Sequence, residues 1–570
     1  MYLNKVCHGG RLKKGYLTRK VVKITRVVLP GIVFLLIHFA LQPQDLSAAS
    51  ESDSKPPKFI LIHLDSASSQ AVKEEMDAGN LPNLQSTFTD GYIEKAVTYF
   101  PAKTPTVISS LRNGDWPMDS ELPGWSYQVS DLDDALNMSK TFLRMMFSKQ
   151  RIAYANLLHG LPIFDRLAGQ ALANVPELLE QYRYVEFYWY PVDTYGHFFG
   201  EEDYRRKLTV FDKHFGRMME RLDKEEVNII IYADHGMKFG EGVKLHYLVK
   251  WALGDQVLDV SYPNLYLKDP ANKEEVAREL LYELDLHFTF FSVDSSTVQG
   301  YHKKGTVWFI REDGGIRYEY EGEDPFGYYE EGYNGEVLSK MDWVHLTYQS
   351  DYPATPINIL NLMSNPRAGD VLTLLGKNQY NKTSYSRSGN HGGILAQDTS
   401  VPLMLKGPEL EFLYNRETYW LPNLFNDITS VDFTYRPSRD DHYLNAFYDF
   451  NRNRHLLRLS LSPRYRWRIG GEMLYHEFHF PEELQGWVKY DLFRSHLSRI
   501  WVGGGVHSDQ LNNELRPMGF IQHEFRLRRL TARSTLNTTG DHRFALELRI
   551  SPVTSLQVVN FNSAGLRIEF

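Results

Sequence analysis

The chain has 570 residues, 42% of them apolar, and a net charge of -8, which supplies a large core and argues against a general nucleic-acid binder. At roughly 150 residues per domain, this length holds about two to four units. The single cysteine, Cys7, falls in the segment read next as an export signal, so the mature chain offers no disulfide, no catalytic thiolate and no Cys-zinc site.

Residues 1–26 carry Arg11, Lys13, Lys14, Arg19, Lys20, Lys23 and Arg26 without a single acid. Residues 27–41 are apolar, and Ser47-Ala48-Ala49 offers small residues for cleavage, so 1–49 has the pattern of a signal peptide. An uncleaved anchor is the alternative, although about 15 apolar residues interrupted by Pro30 and His38 fall short of the ~20 that a spanning helix needs. A polar linker, 50–57, follows.

From 58 to about 410, β-like runs alternate with helical runs, the pattern of a mostly parallel sheet with helices on both faces. The run 59–64 ends at Asp65 and leads into a helix over 69–77. The run 185–190 leads into Asp193-Thr-Tyr-Gly-His197, and a helix is expected over 203–223. The run 227–233 ends at Asp234-His235. Open parallel sheets carry their ligands at those carboxyl ends. A long insertion, about 240–390, follows as a cap or subdomain. Residues 305–311 and 315–320 flank the turn Glu312-Asp313-Gly314 and predict a hairpin within it.

Several residues in this region have side chains suited to metal chemistry. Asp193 and His197, four apart, share one side of a helical turn and can grip one ion, although such pairs also serve as polar surface or capping groups. Asp234 and His235 are adjacent, so both reach one ion only where the strand breaks, and Gly236 supplies the break. An Asx-capped turn is the plainer reading. His391, in Ser388-Gly-Asn-His-Gly-Gly393, has glycines that permit close backbone approach, or is a structural loop histidine. Thr104, in Phe100-Pro-Ala-Lys-Thr-Pro-Thr106, suits the cap of a helix starting near 107 with Pro105 at its first position. Its alternative role is an activated hydroxyl at a helix amino terminus, attacking an electrophile. The neighbouring Lys103 is expected to be solvated.

Taken together, Phe-Pro-Ala-Lys-Thr104-Pro-Thr followed by Gly114 and Pro117, Tyr190-Pro-Val-Asp193-Thr-Tyr-Gly-His197, Ala233-Asp-His-Gly-Met237, and Asn390-His391-Gly-Gly with Val401-Pro-Leu-Met404 and Gly407 resemble the alkaline phosphatase superfamily. Within it they resemble the type I phosphodiesterase/nucleotide pyrophosphatase branch, over about residues 56–410. The resemblance implies an alkaline-phosphatase-like α/β fold with two divalent ions, expected to be zinc. Asp65, Thr104, Asp234 and His235 would surround one ion, and Asp193, His197 and His391 would hold the other. It also implies in-line attack by Thr104 on a small phosphorylated substrate, a nucleotide or other phosphodiester, giving a phosphothreonine that water then hydrolyses. The family's Asn about twenty residues past the nucleophile has no counterpart, since Leu122-Pro-Gly-Trp125 occupies that stretch. The sequence lacks the Ser/Cys-x-Pro-x-Arg segment of sulfatases, the serine of cofactor-independent phosphoglycerate mutases and the membrane helices of phosphoethanolamine transferases.

After a linker expected at 411–429, the character changes over 430–570. Arg464, Arg466 and Arg468 alternate with Tyr465, Trp467 and Ile469, while Arg543, Glu547 and Arg549 interleave Phe544, Leu546, Leu548 and Ile550. About eight to ten short β runs are expected, with turns at Asn451-Arg-Asn453, Asn537-Thr-Thr-Gly540 and Asn562-Ser-Ala-Gly565. A charged face opposite an apolar one suits either a soluble β-sandwich or a closed barrel. The ending Leu566-Arg-Ile-Glu-Phe570 resembles the terminal strand of bacterial outer-membrane barrels, whose polar interior an Arg/Glu network could fill. The expectation is therefore an exported two-metal phosphohydrolase in the periplasm or outer membrane of a Gram-negative bacterium, with membrane lipid around its β-domain and no nucleic-acid partner. The alternative is a degenerate, non-catalytic member that binds a phosphorylated ligand on a β-barrel scaffold.

Overall fold

The computed structural model describes residues 57–113, 153–154, 165–173, 175–179, 184–222, 227–428 and most of 443–569. The expected export signal, Gly114, Pro117, the segment Leu122-Pro-Gly-Trp125, the turn Asn451-Arg-Asn453, Tyr465, Arg466 and Phe570 lie outside them. The chain divides into two compact units, 57–434 and 435–570.

The first unit is built on a seven-stranded sheet. Its strands are β1 (Lys58–Leu64), β2 (Tyr92–Val97), β3 (Ala153–Tyr154), β4 (Tyr184–Trp189), β5 (Val227–Tyr232), β15 (Ser400–Lys406) and β16 (Thr418–Trp420), in the order β16-β2-β15-β5-β1-β4-β3. β5, β1, β4 and β3 run parallel, whereas β15 is antiparallel to both β2 and β5. Reversal of one strand leaves β2 pointing the same way as β5. The carboxyl ends of β1, β2, β4 and β5 and the amino end of β15 therefore share one edge. β1 is buried from Phe59 onward, which accounts for an apolar run that only His63 interrupts. The helix Glu201–Arg221 buries Tyr204, Leu208, Phe211, Phe215 and Met218, spaced three or four apart as one face of an amphipathic helix requires. The stretch 411–429, expected as a linker, supplies β16, which adds to β2 in parallel and buries Tyr419 and Trp420.

The insertion forms its own sheet from β7 (Val257–Ser261), β8 (Asn264–Leu267), β9 (Phe288–Ser292), β10 (Thr297–His302), β11 (Gly305–Glu312), β12 (Gly315–Gly322) and β13 (Val371–Leu374), in the order β12-β11-β10-β9-β13-β8-β7. β11 and β12 are the expected hairpin. β6 (Glu241–Val243) and β14 (Gln379–Asn381) pair separately. The aromatic core of this cap, including Phe290, Phe309, Tyr318 and Trp343, is continuous with Tyr99, Phe100 and Val107, so packing ties the cap to the Thr104 segment.

The second unit is a closed barrel of ten strands. They are β17 (Tyr443–Asp449), β18 (Arg454–Arg464), β19 (Trp467–His476), β20 (Pro481–Arg494), β21 (Ser498–Asp509), β22 (Glu514–Leu527), β23 (Leu530–Asn537), β24 (His542–Arg549), β25 (Thr554–Val559) and β26 (Ser563–Glu569). Each is antiparallel to its neighbour, and β17 pairs with β26 to close the ring. Alternation is inside-out relative to a soluble protein. Arg468, Glu472, Lys489, Arg533, Glu547 and Arg567 are buried, while Trp467, Val488, Leu548, Leu566 and Ile568 are exposed. Inside, Glu472 pairs with Arg458 and with Arg543 at 2.9 Å. Arg533 bridges Glu524 at 2.5 Å and Glu547 at 2.6 Å, and Arg567 also reaches Glu547 at 3.2 Å. This removes the sandwich alternative, which required the charged face to meet water. The expected turn at Asn537-Thr-Thr-Gly540 is present, with Gly540 at φ +86°. The expected turn at Asn562-Ser-Ala-Gly565 is not, because Ser563, Ala564 and Gly565 already belong to β26. Gly565 is there for close approach: a Cβ would lie 2.1 Å from the Ala446 carbonyl oxygen. No helix among the described residues is long and apolar enough to cross a membrane.

Candidate functional site

The shared edge of the central sheet gathers all seven predicted residues. Asp65 follows β1, and its amide donates to the Trp189 carbonyl at the end of β4. Beyond β4, the helix Pro191–Phe199 carries Asp193 and His197 one turn apart, both buried. Asp234 and His235 leave β5, and the Asp234 carbonyl accepts from the Thr98 hydroxyl just past β2 at 2.8 Å. His391 arrives on the loop leading into β15.

The side chains converge closely. Asp193 Oδ1 lies 3.2 Å from His197 Nε2 and 3.6 Å from His391 Nε2. His235 Nε2 lies 3.3 Å from Asp234 Oδ2, 3.6 Å from Asp65 Oδ1 and 3.1 Å from Thr104 Oγ1. The imidazoles of His235 and His391 stack with centroids 3.6 Å apart. Each predicted histidine presents Nδ1 to a backbone carbonyl: His197 to Gly389 at 2.9 Å, His235 to Gly236 at 3.0 Å and His391 to Ala102 at 2.7 Å. A carbonyl only accepts, so Nδ1 carries a proton and Nε2 is the atom each ring turns toward the carboxylates. That is how a metal-ligating histidine is oriented.

The donor set fits divalent cations. Ligand atoms of Asp193, His235 and His391 lie within 4.8 Å of one another, as do those of His63, Asp65 and Asp234. Buried oxygens of Asp65, Asp193 and Asp234 have no hydrogen-bond donor, which is costly unless a positive charge serves them. Burial, reinforced by the Asp234 and Asp193 charges, pushes the Asp65 carboxyl well above the usual carboxylate range. For Asp234, burial acts in the same direction, but the facing His235 and His63 outweigh it and hold the carboxyl below that range. Burial and its histidine neighbours hold His391 well below the ordinary imidazole value. Three buried carboxylates crowded against histidine Nε2 atoms make a site that a cation would neutralise.

Thr104 does not cap a helix. The Lys103 carbonyl accepts from the Val107 amide at 2.9 Å, so the helix Thr104–Asn113 begins with Thr104 and its hydroxyl is free to face His235. Lys103 is partly buried rather than fully solvated. Its ammonium donates to the Tyr262 carbonyl in the cap, and burial pushes it down to about 8.

Four further residues support the site. His63, two before Asp65 on β1, is fully buried beside Tyr232 and Tyr188, with Nε2 at 2.9 Å from Asp234 Oδ1. Its signal was one imidazole in the otherwise apolar run of β1. The Tyr188 hydroxyl donates to Asp65 Oδ2 at 2.7 Å. Lys238 and Asp398, 3.8 Å apart and both buried, link the two histidine loops. The Lys238 and Asn390 backbones exchange hydrogen bonds, and the Gly236 amide donates to the Asp398 carbonyl at 2.8 Å. No pattern in the sequence marks Lys238, Asp398 or Tyr188.

Residues 116–314 match the family model described as type I phosphodiesterase / nucleotide pyrophosphatase. That match takes in Asp193, His197, Asp234 and His235 and stops short of Asp65, Thr104 and His391, which the fold brings to the same place. No curated protein matches. Among solved structures, human ectonucleotide pyrophosphatase / phosphodiesterase 5 is 15% identical with a TM-score of 0.42, over 67% of this chain and 96% of that one. Phosphonoacetate hydrolase from Sinorhizobium meliloti 1021, solved with phosphonoacetate, is 13% identical with a TM-score of 0.36, over 66% and 95% of the two chains.

Proposed function

We propose, from the premise that the first unit is of the type I phosphodiesterase kind and so a phosphoester hydrolase, that this chain uses two divalent ions and Thr104 to hydrolyse a small phosphate ester or diester. The observation that carries the reading is the convergence of three histidine Nε2 atoms, three carboxylates and one hydroxyl at a single sheet edge. Asp193, His197 and His391 would hold one ion and Asp65, Asp234 and His235 the other, with Thr104 beside the second. Such ions, zinc by donor type, would lower the pKa of a bound hydroxyl and neutralise charge on the phosphoryl and leaving oxygens.

The residues account for the rest. Thr104 Oγ1 attacks phosphorus, its proton passing to solvent, and the substrate's alcohol leaves. Water then cleaves the phosphothreonine, regenerating the hydroxyl and releasing phosphate or a monoester. At the start of its helix, Thr104 lies next to amides without intrahelical partners. Pro105 has none to give, so the Thr104 amide is the donor nearest a phosphoryl oxygen on Thr104. The Nδ1 contacts hold the three rings in place throughout, and the cap packs against the segment that carries the nucleophile.

Thr104→Ala is expected to lose turnover by roughly 10³-fold or more while retaining bound metal, since the remaining ligands are untouched. Assay of a monoester, a diester and a phosphonate with zinc present, together with metal analysis, tests this. Full activity in Thr104→Ala would remove the covalent route. Absence of turnover on all three substrates in the intact protein would favour the non-catalytic binder.

The same proposal places the protein outside the cytoplasm, its barrel in the outer membrane of a Gram-negative cell. The polar interior, the apolar exterior and the even strand number support that reading.

A further inference from the structure

The helix Leu245–Leu253 in the cap is apolar on two opposite faces. Leu245, Val249 and Leu253 are buried in a core shared with Val257, Leu265 and Leu281. On the other side Tyr247 is 70% exposed, Trp251 75% and Leu248 37%, and Leu258 on β7 is 41% exposed. A surface helix with one face in the core ordinarily turns charge to water on the other. Here the outward face carries two large aromatics one turn apart, far more bare than such side chains usually are in a folded domain.

Along the helix itself the charge is one-sided, while the exposed Glu241 and Asp255 lie just beyond its two ends. Lys244 and Lys250 are exposed beside the aromatics, as is His246, and no acid occurs from 244 to 253 although the whole chain carries a net charge of -8. Neither lysine takes part in an ion pair among the described residues. A Trp, a Tyr and a Leu flanked by lysines suit the boundary between phospholipid headgroups and acyl chains, where amphipathic rings settle and ammonium groups meet phosphates. The same lysines fit a protein partner less well, because protein interfaces are depleted in lysine.

We infer that this helix is a membrane-contact surface, through which the catalytic unit rests on an anionic phospholipid layer with Tyr247, Leu248 and Trp251 dipping into it. The inference rests on the membrane reading of the barrel, which would keep a bilayer permanently within reach. Contact of this kind needs only shallow burial of a few side chains, since tethering has already removed most of the cost of association.

The full-length protein in a Cys7→Ser background, carrying Trp251→Cys labelled with an environment-sensitive fluorophore, tests it. A second variant labelled at Glu330→Cys, exposed elsewhere on the cap, is the comparison. Both are reconstituted into vesicles of phosphatidylcholine with phosphatidylglycerol and floated on a density gradient. The label at 251 is expected to shift to the blue and to lose emission to a quencher carried near the lipid headgroups. The label at 330 should do neither, and replacing phosphatidylglycerol by phosphatidylcholine should weaken the effect at 251. Protein that floats while the 251 label stays as wet as the 330 label overturns the inference and leaves the barrel reading intact. A blue shift that grows with protein-to-lipid ratio and ignores the lipid-borne quencher means contact between proteins, and overturns it too. Failure to float overturns the barrel reading itself and this inference with it.

Discussion

His197, His235 and His391 are each held through Nδ1, the nitrogen that faces away from the carboxylates. Because Gly389, Gly236 and Ala102 supply those fixing carbonyls, the ring positions depend on backbone loops rather than on other side chains. The buried Lys238–Asp398 pair links two of the loops, which makes it a positioning device for His235 and His391. Lys238→Met would leave the Asp398 carboxylate buried without a counter-charge, and removing one partner of a buried pair costs about 3–5 kcal/mol. It is expected to weaken metal retention under chelator challenge as well as lower thermal stability, whereas Lys238→Met with Asp398→Leu should recover much of the stability. If the single variant holds metal as tightly as wild type, the pair is merely structural. Metal analysis also tests the division of ligands. Asp193→Ala or His391→Ala should lose one equivalent and Asp234→Ala the other, and two equivalents retained in all three would refute that division. That Asp65, Asp193, His197, Asp234, His235 and His391 would come together was legible because each is a carboxylate or imidazole just beyond a strand-like run or in a glycine-flanked loop. His63, Tyr188, Lys238 and Asp398 were not, since their partners lie more than 100 residues away and only the fold brings them together.

At the level of elements, the reversed strand β15 is what lets a residue so late in the chain join the site. An antiparallel strand enters the sheet at the edge where its parallel neighbours leave, so the His391 loop is delivered beside Asp65 and Asp234. The ladder was legible as alternating β and helical runs, and the hairpin of β11 and β12 as a turn between two β-like runs. The reversal was not, because an apolar run such as Val401-Pro-Leu-Met404 carries no mark of direction. Gly236 is the tightest joint at this edge, for a Cβ there would stand 2.0 Å from the Gln397 carbonyl oxygen in the segment leading to β15. Gly236→Ala is therefore expected to push the β5 and β15 loops apart, destabilising the unit by roughly 1–3 kcal/mol and lowering turnover more than substrate affinity. Thermal unfolding and steady-state kinetics measure both, and an unchanged kcat would mean that the loops tolerate the shift.

Across the whole molecule, the two units obey opposite rules of solvation. The catalytic unit buries its apolar strands, while the barrel buries charge and shows aliphatic side chains outward. Period-two alternation made the strands legible, but alternation is the same for a sandwich and a barrel. Only ring closure decides between them, and no local pattern encodes it. All seven candidate ligands precede residue 392, so a chain ending at residue 434 is expected to be released as a soluble, metal-binding, active enzyme. Fractionation and assay of that shortened chain check this. Activity lost with the barrel would mean that the units cooperate in catalysis, and full-length protein found soluble without detergent would end the membrane reading.

Ring closure also sets a timetable. The seam joins β17 to β26, the first strand of the barrel to its last, so neither can find the other until all the strands between them exist. The catalytic unit is complete in sequence more than a hundred residues before the end of β26, while the sheet that follows it keeps two open edges until β26 is in place. Those edges expose unpaired backbone next to aliphatic side chains, a template for pairing with other chains. The unclosed ring is therefore the form of this unit most open to pairing with other chains, and it ends only when β26 is zipped to β17.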